Sequence, residues 1–230
     1  MNLLYFEKPT RYIDSESNSI IKEGKNLIKF ALCFPDIYEI GMSHLGLKIL
    51  YHILNKIPDV HAERVFSPWI DLQNYMKNNG LPLCSLETNR PLKDFDIVGF
   101  SLQYELSYTS VLNMLNLGHI PIRWQDRLGK KFPLIIAGGP CTSNPLVMSD
   151  FIDAFLIGEA EESVIELVNV YRDWKNHGLK KEELLVAISQ IEGFYVPFVG
   201  KRLVKRRYIN NLNDAEFPTA FVVPYMKIVH

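Results

Sequence analysis

Apolar residues fall into short continuous runs separated by stretches of helical spacing. LIKFALCF (27–34), DIVGFSLQ (96–103), FPLIIAGGP (132–140) and DAFLIGEAE (153–161) are of strand length and barely alternate. Strands buried on both faces carry this pattern. HAERVFS (61–67) reads as a short strand and LPLCSLE (81–87) as a weak one. HLGLKILYHILNKI (44–57) places Leu45, Ile49, His52, Ile53 and Ile57 at helical spacing, with Ser43 as N-cap and Pro58 as stop. WIDLQNYMKNNG (69–80) and SYTSVLNMLNLG (107–118) each close on a glycine. EESVIELVNVYRDWKNHG (161–178) has acids in its first turn and His-Gly at its end, and KKEELLVAISQI (180–191) is a further helix.

Strand and helix in alternation, with strands apolar throughout, predict an α/β domain. Its sheet is open, mostly parallel and Rossmann-like, with helices on both faces. Residues 1–26 are mixed and polar and read as an arm, and 27–192 carry the α/β pattern. After Gly193 the texture changes. YVPFVGKRLVKRRYI reads as a hairpin or meander, so 193–230 is expected to be a small β-rich C-terminal extension.

Composition changes this picture little. The 230 residues are 47% apolar and 22% charged, with a formal net charge of -1. That supports a sizeable core and gives no general reason to expect a nucleic-acid partner. No run reaches the roughly 20 apolar residues a membrane crossing needs, and the N-terminus lacks a signal-peptide core. Cys33, Cys84 and Cys141 are too scattered for a disulfide framework or a metal motif, and reduced thiols of a cytoplasmic protein account for them. The basic run KRLVKRR (201–207) fits a solvated sheet edge, with RNA contact as the lesser reading.

In a doubly wound sheet, ligands sit at the carboxyl ends of the strands. The candidate chemistry therefore lies in four loops. The first, PDIYEIGMSHLG, holds Asp36, Tyr38 and Gly41 at the spacing D-x-Y-x-x-G, followed by Ser43 at a helix start. Taken alone, turn capping is the commoner meaning of these residues and ligand approach the lesser. The second holds Ser101 and Leu102, where a serine either binds a ligand or caps the next helix. The third carries Gly138 and Gly139, which remove side chains where a ligand or a helix must come close. The fourth carries Gly158, Glu159, Glu161 and Glu162. The last two are explained by the helix dipole, whereas Glu159 stands nearer the strand end. His44 and His52 read as structural, and neither a Walker A sequence nor G-x-G-x-x-G is present.

Taken in order, D-x-Y-x-x-G, Ser-Leu and Gly-Gly resemble the cobalamin-binding signature D-x-H-x-x-G, S-x-L, G-G, with Tyr38 where that signature has histidine. The longer strings FPDIYEIGMSHLGLKILYHILN, AERVFSPWIDL, FDIVGFSLQYELSYTSVLNML, IIAGGPCTSNP and FIDAFLIGEAEE resemble the N-terminal region of radical SAM proteins that carry a cobalamin-binding domain. The resemblance implies Asp36, Tyr38, Gly41, Ser43, Ser101, Leu102, Gly138, Gly139, Gly158 and Glu159 as the cofactor-binding set. It also implies cobalamin held in a histidine-off mode, since a phenol is a poor substitute for an imidazole ligand. The alternative is a domain that has lost cobalamin and serves as a docking module. The family's Cys-x-x-x-Cys-x-x-Cys motif is expected shortly after a stretch like PYMKIVH and does not occur here. The 4Fe-4S cluster and S-adenosylmethionine would then belong to a catalytic domain outside this chain, joined in cis or as a separate partner. On that reading the chain is truncated and not catalytic alone, with 193–230 leading toward the missing domain.

Overall fold

A computed structural model describes residues 3–228 except 212 and 214. Six strands form one sheet in the order β2-β1-β3-β4-β5-β6. They are β1 (Ile28–Phe34), β2 (Val60–Phe66), β3 (Ile97–Ser101), β4 (Leu134–Gly138), β5 (Ala154–Leu156) and β6 (Phe194–Tyr195). The first five are parallel, and β6 joins β5 antiparallel. The α/β expectation therefore holds.

The helices are α1 (Tyr38–Ser43), α2 (Leu45–Lys56), α3 (Ile70–Asn79), α4 (Tyr108–Leu117), α5 (Ser163–His177) and α6 (Lys181–Ile188). Alternate residues of β1 serve opposite faces. Phe30, Leu32 and Phe34 pack with α2, α5 and α6, while Ala31 and Cys33 pack with α3 and α4. That double burial is why the strands carry no polar alternation. Gly80 and Gly178 close α3 and α5, both at φ 62, as the glycine stops predict.

Three local readings change. The expected loop 35–43 is mostly α1, whose Tyr38 and Met42 enter the core. The stripe of α2 is displaced: Leu47, Tyr51, Ile53 and Leu54 are buried and Leu45 is exposed. The stretch 81–87 forms no strand and contributes one isolated bridge, Cys84 with Pro91.

The terminal segments wrap the domain. β2 lies at a sheet edge, yet all seven of its residues are buried. The arm covers it, and Glu16 meets the Arg64 guanidinium at 2.6 Å while Glu87 meets it from the other side, also at 2.6 Å. Arg11 of the arm pairs with Glu39 at 2.8 Å. Covering an edge strand in this way removes an exposed template for pairing. The C-terminal extension does not fold on itself as a hairpin. It supplies β6, then bridges Gly158 at Arg207 and Ser17 at Val223.

Candidate functional site

Where β1 leads into α2 on one face and β3 leads into α4 on the other, the chain diverges and opens a crevice. This is the switch point at which doubly wound sheets take their ligands. A cavity of about 240 Å³ opens at these carboxyl ends, between the sheet and the helices α2 and α5.

The cavity floor is made by inward residues of four adjacent strands: Phe30 and Leu32, Gly99 and Ser101, Ile136 and Gly138, and Leu156 leading to Gly158. Its roof is Ile49 and Leu50 of α2 with Val164 and Leu167 of α5. Five glycines, at 46, 99, 138, 139 and 158, lie along its wall. They serve different ends. A Cβ at Gly99 would stand 3.0 Å from the Phe30 ring, so that glycine serves the packing of the floor. A Cβ at Gly138 would meet nothing within 4 Å, so that position faces open space.

The lining is apolar apart from Ser101, His44, Gln103, Glu159 and Glu161, and it contains neither Lys nor Arg. Such a wall favours a flat, uncharged ring and offers no counter-charge to a polyphosphate. At roughly 240 Å³ the space is below the 300–1,000 Å³ usual for a whole drug-sized ligand, which suits one ring system of a larger molecule.

His44 stands at the mouth. Its ring lies 5.3 Å from that of Phe34, and its Nδ1 accepts the Leu47 N–H at 3.2 Å as N-cap of α2. The proton of the neutral ring is therefore on Nε2, and the Gln103 side chain is a further hydrogen-bond partner of the imidazole. Burial holds the imidazole below its ordinary pKa, so it is neutral at pH 7. A second bond joins the same two loops, from the Tyr104 hydroxyl to the Asp36 carboxylate. That bond, more than burial, pushes the phenol up to about 12.

The ten sequence candidates divide. Ser101, Gly138, Gly139, Gly158 and Glu159 line the cavity. Asp36 lies at the rim, holding Tyr104 and its own neighbour's N–H. Tyr38 does not face the cavity. It is buried, donates its hydroxyl to Glu16 and packs on Phe66, and burial and that carboxylate raise its pKa well above the ordinary tyrosine value. Gly41 is a packing requirement, since a Cβ there would overlap the Phe66 ring. Ser43 donates its hydroxyl to the Glu39 carbonyl at 2.7 Å rather than presenting it to the cavity, and Ser43 is not the N-cap of α2. Leu102 points into the opposite core, although its backbone N–H donates to the Gly138 carbonyl at 2.7 Å.

His44, Gly46 and Gln103 belong to the cavity and were not among the candidates. The sequence pattern assigns the N-cap to Ser43 and reads a lone histidine at a helix start as structural, whereas His44 is the residue that caps α2 and also lines the cavity. Here one ring does both jobs.

Among the described residues, no three His, Cys, Asp or Glu side chains are gathered to hold a metal ion. No helix among them is long and apolar enough to cross a membrane. The basic run is largely exposed, and part of it is paired within the chain. Lys205 pairs with Glu192, Arg207 with Glu162 and Glu166, all at 2.8 Å, and Arg202 binds the Ser189 carbonyl.

An uncharacterized protein of Methanocaldococcus jannaschii is 26% identical over 200 residues, which are 86% of this chain and 35% of that protein. The chain thus spans about a third of the length of the curated relative it matches. No solved structure matches it. The family described as radical SAM proteins, N-terminal, matches residues 46–197, most of the chain. The chain therefore belongs to the N-terminal domain family of radical SAM proteins.

Proposed function

We propose that the domain binds a cobalamin-type cofactor in a histidine-off mode, burying the nucleotide base in the cavity and leaving the flat macrocycle over the rim. One observation carries this reading: the cavity is mostly apolar, opens at Gly138 and is lined by neither Lys nor Arg, at the switch-point end of the sheet. The donor set fits the base and not the metal. Tyr38 is buried away from the cavity, and His44, the one histidine among the described lining residues, spends Nδ1 on capping α2 and pairs with the Gln103 side chain. The rim is apolar where a ring face would lie, with Leu45, Tyr104 and Leu106 exposed on the loops after β1 and β3, and Leu146 and Val147 on the loop after β4.

In the whole protein the domain would present the cofactor to a radical SAM catalytic domain that carries the iron-sulfur cluster and binds S-adenosylmethionine, in cis or on a separate chain. In the basic run, Arg207 and Lys205 are paired with acids of the chain, which leaves fewer free cations for a nucleic-acid backbone.

The test is reconstitution of the chain with hydroxocobalamin followed by desalting. Corrinoid absorbance that stays with the protein supports the reading, and a colourless protein at micromolar concentration would be evidence for the docking-module alternative.

A further inference from the structure

The segment from Lys205 to Met226 fastens to both helices that roof the cavity. At its start it is built into the cavity wall. The Arg207 N–H donates to the Ile157 carbonyl at 2.9 Å, the Glu159 N–H donates to the Arg207 carbonyl at 3.2 Å, and the Glu159 carboxylate accepts the Ile209 N–H. Gly158, at φ 119, lies so close that a Cβ would overlap the Arg207 backbone. The Arg207 guanidinium then reaches Glu162 and Glu166 at the start of α5, each at 2.8 Å.

Further on the same segment grips α2. Glu216 meets Lys56 at 2.8 Å and His52 at 3.0 Å, and Lys48 lies 5.4 Å over the Phe221 ring. Its far end ties to the arm, with Val223 N–H on the Ser17 carbonyl at 2.9 Å and Asn18 on the Phe221 carbonyl at 2.8 Å. Apolar burial is limited: Pro218 and Val222 are buried and Met226 packs on the core, while Phe217, Phe221 and Tyr225 are exposed. A segment held by polar clasps with little buried area has low local stability, so small movements of the walls decide whether it stays seated.

We propose that this segment is a strap coupled to the cavity: a ligand between α2 and α5 tightens the strap, and a seated strap tightens the ligand. The two effects are equal by thermodynamic reciprocity. Arg207 and Glu216 are positioning residues that touch no ligand. The inference rests on the cavity being a ligand site.

The test is amide hydrogen exchange on the full chain, with and without saturating hydroxocobalamin. Peptides covering 203–211 and 215–226 should exchange ~10-fold more slowly when it is bound, and Arg207→Ala or Glu216→Ala should each weaken hydroxocobalamin ~5-fold or more. Arg207→Lys, which keeps the charge beside Glu162 and Glu166, should recover most of that loss. Bound hydroxocobalamin with unchanged strap exchange overturns the coupling. If hydroxocobalamin does not bind, the cofactor reading fails and the coupling is decided by Gly138→Leu, whose side chain grows into the open space (Gly138→Val serves if the leucine variant does not fold). Slower strap exchange in the filled variant upholds the coupling, and unchanged exchange overturns it.

Discussion

Gly139 lies against the Leu102 carbonyl so closely that a Cβ on the glycine would stand 2.7 Å from that oxygen. Its φ of 104 is also one that side chains rarely adopt. The contact locks the loop after β4 onto the loop after β3, and Leu102 in turn accepts the Cys141 N–H at 3.2 Å. Gly139→Ala should therefore cost about 1–3 kcal/mol in urea unfolding. A loss under 0.5 kcal/mol would show that the loop relaxes at no cost.

Its neighbour should behave oppositely. Gly138→Ala places a methyl where nothing lies within 4 Å and should leave the melting temperature within about 2 °C of the parent. Gly138→Leu should preserve the circular dichroism spectrum and abolish hydroxocobalamin retention. Retention by the leucine variant would remove the cavity from the account.

His44 makes the site sensitive to acid. Burial places its folded pKa below the ordinary 6.5, so near that pH the folded chain holds fewer protons than the unfolded one. Stability is undiminished above about 6.5 and declines as pH falls below it. His44→Asn, which can still cap α2, should flatten this dependence. The ring's NMR titration should have a midpoint under 6.5, and a midpoint at or above that value contradicts the burial argument.

Tyr38 separates a structural from a ligating role. Tyr38→Phe removes the hydroxyl that donates to buried Glu16 and should cost about 1–3 kcal/mol while leaving hydroxocobalamin affinity unchanged. Tyr38→His should not create a cobalt ligand. The electron paramagnetic resonance spectrum of bound cob(II)alamin should show no nitrogen splitting from the protein, and such a splitting would place residue 38 at the metal.

Much of the architecture was legible in the chain because the strands are buried on both faces, which leaves continuous apolar runs such as FALCF and LIIAG. The glycine stops after α3 and α5 were equally plain, since their left-handed conformation strongly favours glycine. The site was half legible. Gly138, Gly139 and Ser101 sit at strand ends, where topology alone brings them together. Tyr38 misleads because α1 is a single short helix of six residues, and its fate depends on Glu16, 22 positions away across the arm. The role of Glu159 was hidden for the same reason: its partners are Arg207 and Ile209, nearly fifty residues on. Contacts of that range leave no periodic trace in a sequence.

Comparing the affinity of the chain for cobalamin with that for cobinamide, which has the macrocycle but lacks the nucleotide base, addresses the cavity's role most directly. Cobalamin should bind at least ~10-fold more tightly, about 1.4 kcal/mol, with the difference erased in Gly138→Leu. Equal affinities in the parent chain would contradict the assignment of the cavity to the base.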